Sequence, residues 1–353
     1  VAAKATGGVI DYVTIGGTDY VVHSFTSSGD FEPTETITDV EYIIVAGGGG
    51  GGSRFASAAG GGAGGLLTNV GGSKVTCSVT TYPVVVGTGG AGGSDASIQK
   101  GSDGGNSSFF SLTATGGGGG GAANTNTTDT DGRNGGSGGG AGRGSGGQAG
   151  DVGLGTSGQG YDGGLSFFAD INNRRGGGGG GATAVGGDAA SGVRGLGGGG
   201  YTVNFRGSSE TFARGGDGSN FGISYTSDWV SQSANAAGAN GPYPGFGGWG
   251  TNGNATARAG GAGANGIVLI RYEDVESSGS TREVVADGGY DLGGTAAVLR
   301  QRVVTAAGGL EFGGSADVQT LRGISVVASG GYELGGSAAV VRQASRDASG
   351  GLE

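Results

Sequence analysis

Val40-Glu41-Tyr42-Ile43-Ile44-Val45-Ala46-Gly47-Gly48-Gly49-Gly50-Gly51-Gly52 joins a compact apolar strand to six consecutive glycines with no turn residue between them. The same run length returns at 116–121 and 176–181. A shorter version stands at 197–200, and related pieces occupy 60–65 and 138–147. One run length recurring at spaced positions is what a lattice requires and a random linker does not. Composition alone points the other way: 95 glycines in 353 residues, about 27%, is the range of low-complexity chains. Flexible linkers, however, do not carry blocks such as Ile43–Val45, Val84–Val86, Phe109–Leu112 and Ile267–Ile270, which read as strands beside the glycine tracts.

Polyglycine has an ordered option, the threefold left-handed polyproline II helix. It rises about 3.1 Å per residue, so six residues span roughly 19 Å. This helix has no internal hydrogen bonds, and its donors and acceptors must be met by neighbours or water. Helices packed side by side can pair in several directions, provided that no Cβ holds the backbones apart. Ordering costs about 1–2 kcal/mol per residue, against roughly 0.5–1.5 kcal/mol net for each hydrogen bond. Glycine helices alone are therefore marginal, and the strand blocks and aromatics are expected to close the two faces of the array.

Several functions are excluded or disfavoured. Ile43 to Gly52 satisfies Gly-x-Gly-x-x-Gly after a strand. A helix should follow, but the next segment is cut off by Gly60 to Gly62, and no acid occurs between Glu41 and Asp95 to hold a ribose. No glycine tract is followed by Gly-Lys-Ser or Gly-Lys-Thr, which removes a phosphate loop. Nineteen basic against twenty-nine acidic residues give a formal charge of −10, which argues for solubility and against a nucleic-acid partner. Arg175-Gly176-Gly177 and Arg214-Gly215-Gly216 are isolated in this acidic chain and read as guanidiniums projected from a glycine scaffold.

Cys77 is the sole cysteine, lying in the alternation Val75, Cys77, Val79 as a small core residue, so no intrachain disulfide framework or multi-cysteine metal site exists. His23, the sole histidine, reads as a packed strand residue, since triads and metal sites both need partners around it. Paired acids such as Asp129 and Asp131 sit in a polar segment, 122–134, that reads as a solvated loop with no apolar pocket to shift a pKa. The sequence therefore predicts no enzyme, no cofactor and no metal site. It holds no apolar run of 18 residues, hence no membrane-spanning helix.

Tyr20-Val21-Val22-His23-Ser24-Phe25-Thr26-Ser27-Ser28-Gly29-Asp30-Phe31, followed by Val40 to Gly49, closely resembles the glycine-rich domain of phage tail fibres and receptor-binding adhesins. Asp103-Gly104-Gly105-Asn106-Ser107-Ser108-Phe109 with Thr113-Ala114-Thr115 resembles the next block of that family, and Gly266-Ile267-Val268-Leu269-Ile270-Arg271-Tyr272 its closing strand. The resemblance covers roughly residues 7–272. It implies a sandwich of packed polyglycine II helices whose connecting loops carry receptor recognition, in trimers, on a virion appendage. The partners it implies are the chain itself, other virion proteins, and a host cell-surface glycan or outer-membrane protein.

Loop candidates for receptor binding are Tyr161, Phe167, Phe168, Asn172, Tyr225, Trp229, Tyr243, Phe246 and Trp249. Aromatics on loops over a rigid scaffold bring large contact area at low rotamer cost. The same aromatics could instead cap the lattice as its missing hydrophobic cover. Pro242 and Pro244 fix the loop around Tyr243.

After Tyr272 the composition changes. A charged connector, 273–280, leads to Gly-Gly-Tyr-Asp-Leu-Gly-Gly at 288–294, with variants starting at 308 and 330 and a fourth at 350. The starts are 308 − 288 = 20 and 330 − 308 = 22 residues apart, with Val284-Val285, Val303-Val304 and Val326-Val327 between them. Alternating apolar residues at this period predict a stacked β-repeat.

The expected fold class is mainly β and irregular with almost no α-helix: a polyglycine II sandwich flanked by short strands, followed by a short-period β-repeat region. Its parts are a β-rich leading segment at 1–46, the glycine-rich domain at 47–272, a linker at 273–280, and repeats of about 20 residues at 281–353. The functional expectation is host attachment by a virion fibre. The alternatives are a capsid decoration fibre or extracellular filament with a purely structural role and, lower still, an ice-binding face.

Overall fold

The computed structural model describes residues 3–274 apart from 54–56, 95–98, 124–126, 145–147, 171–172, 220–224, 227–230, 233–239 and 252–257; beyond 274 it describes only the strands given below. The chain divides into two compact units, Ala2–Asp274 and essentially Val275–Glu353. The architecture is almost entirely β and irregular, in several small sheets; Thr127–Thr130 is the single short α-helix among the described residues.

The main sheet of the first unit orders its strands Val9–Ile15, Thr18–Phe25, Ile267–Glu273, Ile37–Val45 and Leu66–Thr68, all antiparallel, with Val75–Cys77 also pairing on Ile37–Val45. Val9–Ile15 turns into Thr18–Phe25 through Gly16 (φ 60°) and Gly17 (φ 86°). This left-handed pair matches the twist of a two-residue hairpin. The C-terminal half of Ile37–Val45, Tyr42–Val45, is an unbroken apolar run because both of its faces are covered. Tyr42 and Ile44 join Phe31, Phe109, Val268, Ile270 and Cys77 on one side. Ile43 and Val45 join Val22, Leu269, Phe205, Phe212 and Ala63 on the other. Each such fully buried Ile, Val or Phe contributes about 1.5–3 kcal/mol relative to exposure.

Three strands of this sheet continue into glycine tracts without a break. Ile37–Val45 leads into 46–53, Ile267–Glu273 emerges from 260–266, and Leu66–Thr68 emerges from 59–65. The tracts keep the order of the strands, but their hydrogen bonding changes from period two to period three.

In tract 47–52, Gly47 and Gly50 N–H donate to Gly105 and Ser102 O (3.0 and 2.9 Å), Gly48 and Gly51 to Ala264 and Gly261 O, and Gly49 and Gly52 to Gly62 and Ala59 O. Its carbonyls accept from Gly117 and Gly120, from Gly90 and Gly93, and from Gly248. Residues three apart thus face one neighbour, and the tract is surrounded by six: 101–105, 260–264, 59–62, 117–120, 90–93 and 245–250. Tract 176–181 is enclosed in the same way. Gly177 and Gly180 donate to Ala141 and Gly138, Gly178 and Gly181 to Gly187 and Ala184, and Gly179 to Gly216; Gly60, Ala63, Gly164, Tyr161, Gly195 and Gly198 donate to it.

Side chains are excluded from these interior tracts by distance. A Cβ on Gly49, Gly50 or Gly51 would lie 2.2, 2.0 or 2.1 Å from the carbonyl oxygen of Gly118, Ala91 or Trp249. Ala63, at the end of its tract, keeps its methyl in the sheet core.

His23 and Cys77 are buried in the sheet. His23 Nδ1 lies 2.7 Å from Gly7 O and so carries the hydrogen, while Nε2 accepts from the Tyr272 hydroxyl (3.2 Å), whose oxygen accepts Lys4 N–H (3.0 Å). Burial lowers the imidazole pKa below its ordinary 6.5. The unfolded chain takes up this proton as pH falls below 6.5 and the folded chain does not, so stability is full above that pH and declines below it. Between pH 6.5 and 5, unfolding free energy is expected to fall by up to about 1.4 kcal/mol per pH unit, measured by denaturant titration. His23→Phe should remove that slope along with the two hydrogen bonds. Burial also raises the Cys77 thiol to about 11, which keeps it protonated and unreactive.

The second unit is described as two parallel ladders. Glu283–Ala286, Val303–Ala306, Ser325–Ala328 and Ser345–Arg346 form one, and Tyr290–Asp291, Leu310–Phe312 and Tyr332–Leu334 the other. Glu283 pairs with Val303, Val303 with Ser325 and Ser325 with Ser345, so each step advances by one sequence repeat. The paired-glycine turns between these strands lie outside the described residues.

Candidate functional site at the loop pole

The tracts have two poles. At one, 46–47, 65–66 and 266–267 join the sheet, and the hairpins Ser107–Phe109/Leu112–Ala114 and Tyr201–Asn204/Ser209–Phe212 close over it. At the other, the chain leaves the array after 53, 93, 123, 143, 165, 219 and 251. The insertions of most varied composition are attached there.

The floor of this loop pole is built by side chains that stand where the glycines stop. Ser53 Oγ donates to Gln99 O (2.9 Å) and accepts Gln99 N–H (3.0 Å). Ser57 Oγ donates to Arg143 O (2.7 Å), while Ser57 O accepts Arg143 N–H (3.2 Å). Ser166 Oγ donates to Gly142 O (3.0 Å), and Ser219 N–H to Ala58 O (2.9 Å). Over this floor the hairpin Phe167–Asp170/Asn173–Arg175 pairs Phe167 with Arg175 and Phe168 with Arg174. The Arg143 guanidinium sits 5.5 Å from the Phe168 ring centre, close enough for a cation–π attraction. Arg174 and Arg175 are buried, and desolvation lowers both guanidinium pKa values from their ordinary range.

The candidate residues that the structure describes are not brought together. Phe167 and Phe168 lie at the loop pole, half-buried. Tyr225 lies on Tyr225–Thr226, paired with Ser231–Gln232, in the segment that follows Ser219; Asn172 and Trp229 lie outside the described residues. Tyr161 and Tyr243 are accessible, at 47% and 49% exposed, but both stand toward the sheet pole. Phe246 and Trp249 require correction as receptor contacts: they are 1% and 0% exposed and cannot reach a partner from the surface. Their carbonyls accept from Ala264 and Gly261, so the two residues stand three apart on one side of their tract. Phe246 also packs edge-on against Tyr243, at 5.4 Å between ring centres.

The segment 122–134 is also corrected. Thr127–Thr130 is helical, and Asp131 and Asn134 accept hydrogen bonds from the backbone of Asp151 and Leu154 (2.9 and 2.7 Å) rather than lying free in solvent. Sequence reasoning missed Ser53, Ser57, Gln99 and Arg143; Ser53 and Arg143 carried a signal, each being the first polar residue after a glycine-rich run, and Ser57 and Gln99 carried none.

The profile of the glycine-rich domain family matches residues 26–273, a span that takes in every tract described above. The chain belongs to the glycine-rich domain family. The match begins at the end of Thr18–Phe25 and closes on Ile267–Glu273, so the family's span is bounded by two strands that pair with each other. The glycine-rich domain of this chain has no match among curated proteins. Among its described residues no group of three or more His, Cys, Asp or Glu is placed to hold a metal ion.

Proposed function

We propose that this chain is a virion structural protein, a phage tail fibre or receptor-binding adhesin, in which packed polyglycine II helices hold loops against a host-surface glycan or outer-membrane protein. The carrying observation is the threefold hydrogen bonding of tract 47–52 to six neighbours, with the varied insertions attached at one pole of the array. Period-three bonding in several directions is the behaviour of a helix with three residues per turn and no internal bonds. A frame so rigid holds the loops in fixed relative positions and lowers the ordering cost of binding. In this reading the protein acts without catalysis and as a homo-oligomer, a trimer by its resemblance to fibres. Several copies per particle turn weak single contacts into firm attachment.

The test is binding of purified protein to host cells. The double variant Phe167→Ala/Phe168→Ala is expected to weaken binding at least ten-fold, with the thermal transition nearly unchanged because both rings are only half-buried. Wild-type protein that neither binds cells nor competes with the particle would overturn attachment. That outcome favours the second reading, a capsid decoration fibre or filament with a structural role, which is supported by the burial of Phe246 and Trp249 as cover for the array.

A further inference from the structure

The interior tracts and the boundary tracts differ in how their amides are satisfied. In 47–52, 59–65 and 137–142 every backbone N–H donates to a backbone carbonyl of a neighbouring tract. At the boundary an Asp or Asn side chain takes the place of a carbonyl. Gly116 and Gly119 N–H donate to Asn106 and Asp103 Oδ1 (2.8 and 2.9 Å). Asp151 and Leu154 donate to Asp131 and Asn134 Oδ1. Gly155 donates to Asp162, Leu165 to Asp188, Ala262 to Asn240 and Gly89 to Asn265.

These acceptors share a geometry. Asp103 and Asn106 are three residues apart, as are their donors; the same holds for Asp131 and Asn134. In a threefold helix that spacing places both carboxylate or amide groups on one side. The outermost are exposed: Asp103, Asn106, Asn134, Asp188, Asn240 and Asn265 all face solvent.

An uncapped boundary tract would present a row of unpaired N–H groups every third residue. This is the counterpart of an open sheet edge, which recruits further strands from other chains. We propose that the Asx side chains terminate the array: each occupies the donor that would otherwise bind the carbonyl of one more glycine tract, supplied by a second copy of this chain. The edge is closed by side chains of the same molecule, so lateral growth is blocked although the tract backbones are otherwise self-complementary.

The experiment uses the full chain. Asp103→Ala/Asn106→Ala should speed amide exchange of Gly116 and Gly119 at least ten-fold over wild type. It should also produce concentration-dependent association beyond the wild-type oligomeric state in sedimentation velocity. Asp103→Asn/Asn106→Asp, which keeps Oδ1 in place, should restore both readings. Unchanged exchange at the two glycines, or faster exchange without added association, would overturn the proposal. If the double alanine variant does not fold, Asp188→Ala decides by the same two readings, with exchange followed at Leu165.

Discussion

Gly50→Ala is expected to leave no folded glycine-rich domain. The added methyl would sit 2.0 Å from Ala91 O and 2.5 Å from its carbon, both backbone atoms, with neighbours on every side of the tract. Relief would require moving 90–93 away, which breaks the bonds from Gly90 and Gly93 to Gly48 and Gly51 (2.8 and 2.9 Å). A cost of about 5 kcal/mol or more approaches the whole stability of an ordinary domain. Gly72→Ala is the matched comparison: its nearest neighbour is Asn69 O at 3.4 Å, and its φ lies outside the left-handed region. That variant should stay within about 1 kcal/mol of wild type or gain slightly from reduced chain entropy. Soluble yield and thermal unfolding of the pair measure the contrast.

The second large effect is expected at Glu41. Arg271 Nε donates to Glu41 Oε2 (2.7 Å), and the two side chains are only 8% and 9% exposed. The same guanidinium bonds Asn204 and Phe205 carbonyls (3.3 and 3.2 Å) and lies over the rings of Tyr20 and Phe205 (4.6 and 4.4 Å). Arg271 thus ties the closing strand to the Tyr201–Asn204/Ser209–Phe212 hairpin. Glu41→Ala leaves a buried cation uncompensated and should cost about 3–5 kcal/mol, read from denaturant midpoints. The double variant Glu41→Leu/Arg271→Leu should cost less than the sum of its single changes, since it leaves no lone charge.

Much of this fold is written in residue type. The three runs with no side chain are 47–52 and 176–181, enclosed by neighbouring tracts, and 116–121, closed on one side by Asp103 and Asn106; in each a Cβ would meet a carbonyl at about 2 Å. Ile43–Val45 and Ile267–Ile270 were legible as strand segments because a doubly covered strand is apolar without alternation there.

The candidate site was less legible, because aromatic density does not say which way a ring points. Phe246 and Trp249 lie three apart, and on a threefold tract that spacing puts both on one side. Reading the segment with period three, rather than as a loop, would have paired them as cover. The same period would have moved Asp131 and Asn134 from a solvated loop to a tract edge. The contact of Arg143 with Phe168 could not be foreseen, since it depends on two tracts brought together only by the array.

Residue-resolved amide hydrogen exchange shows whether the side-chain-free segments form a rigid block by direct main-chain bonding. The amides of Gly47–Gly52, of Gly117, Gly118, Gly120 and Gly121, and of Gly177–Gly181, which donate to carbonyls of neighbouring tracts, are predicted to exchange as slowly as Ile43 and Leu269 in the sheet, through global unfolding alone. Exchange of those glycines at the rate of an unstructured peptide, while the sheet amides remain protected, would mean that the tracts are not a bonded block.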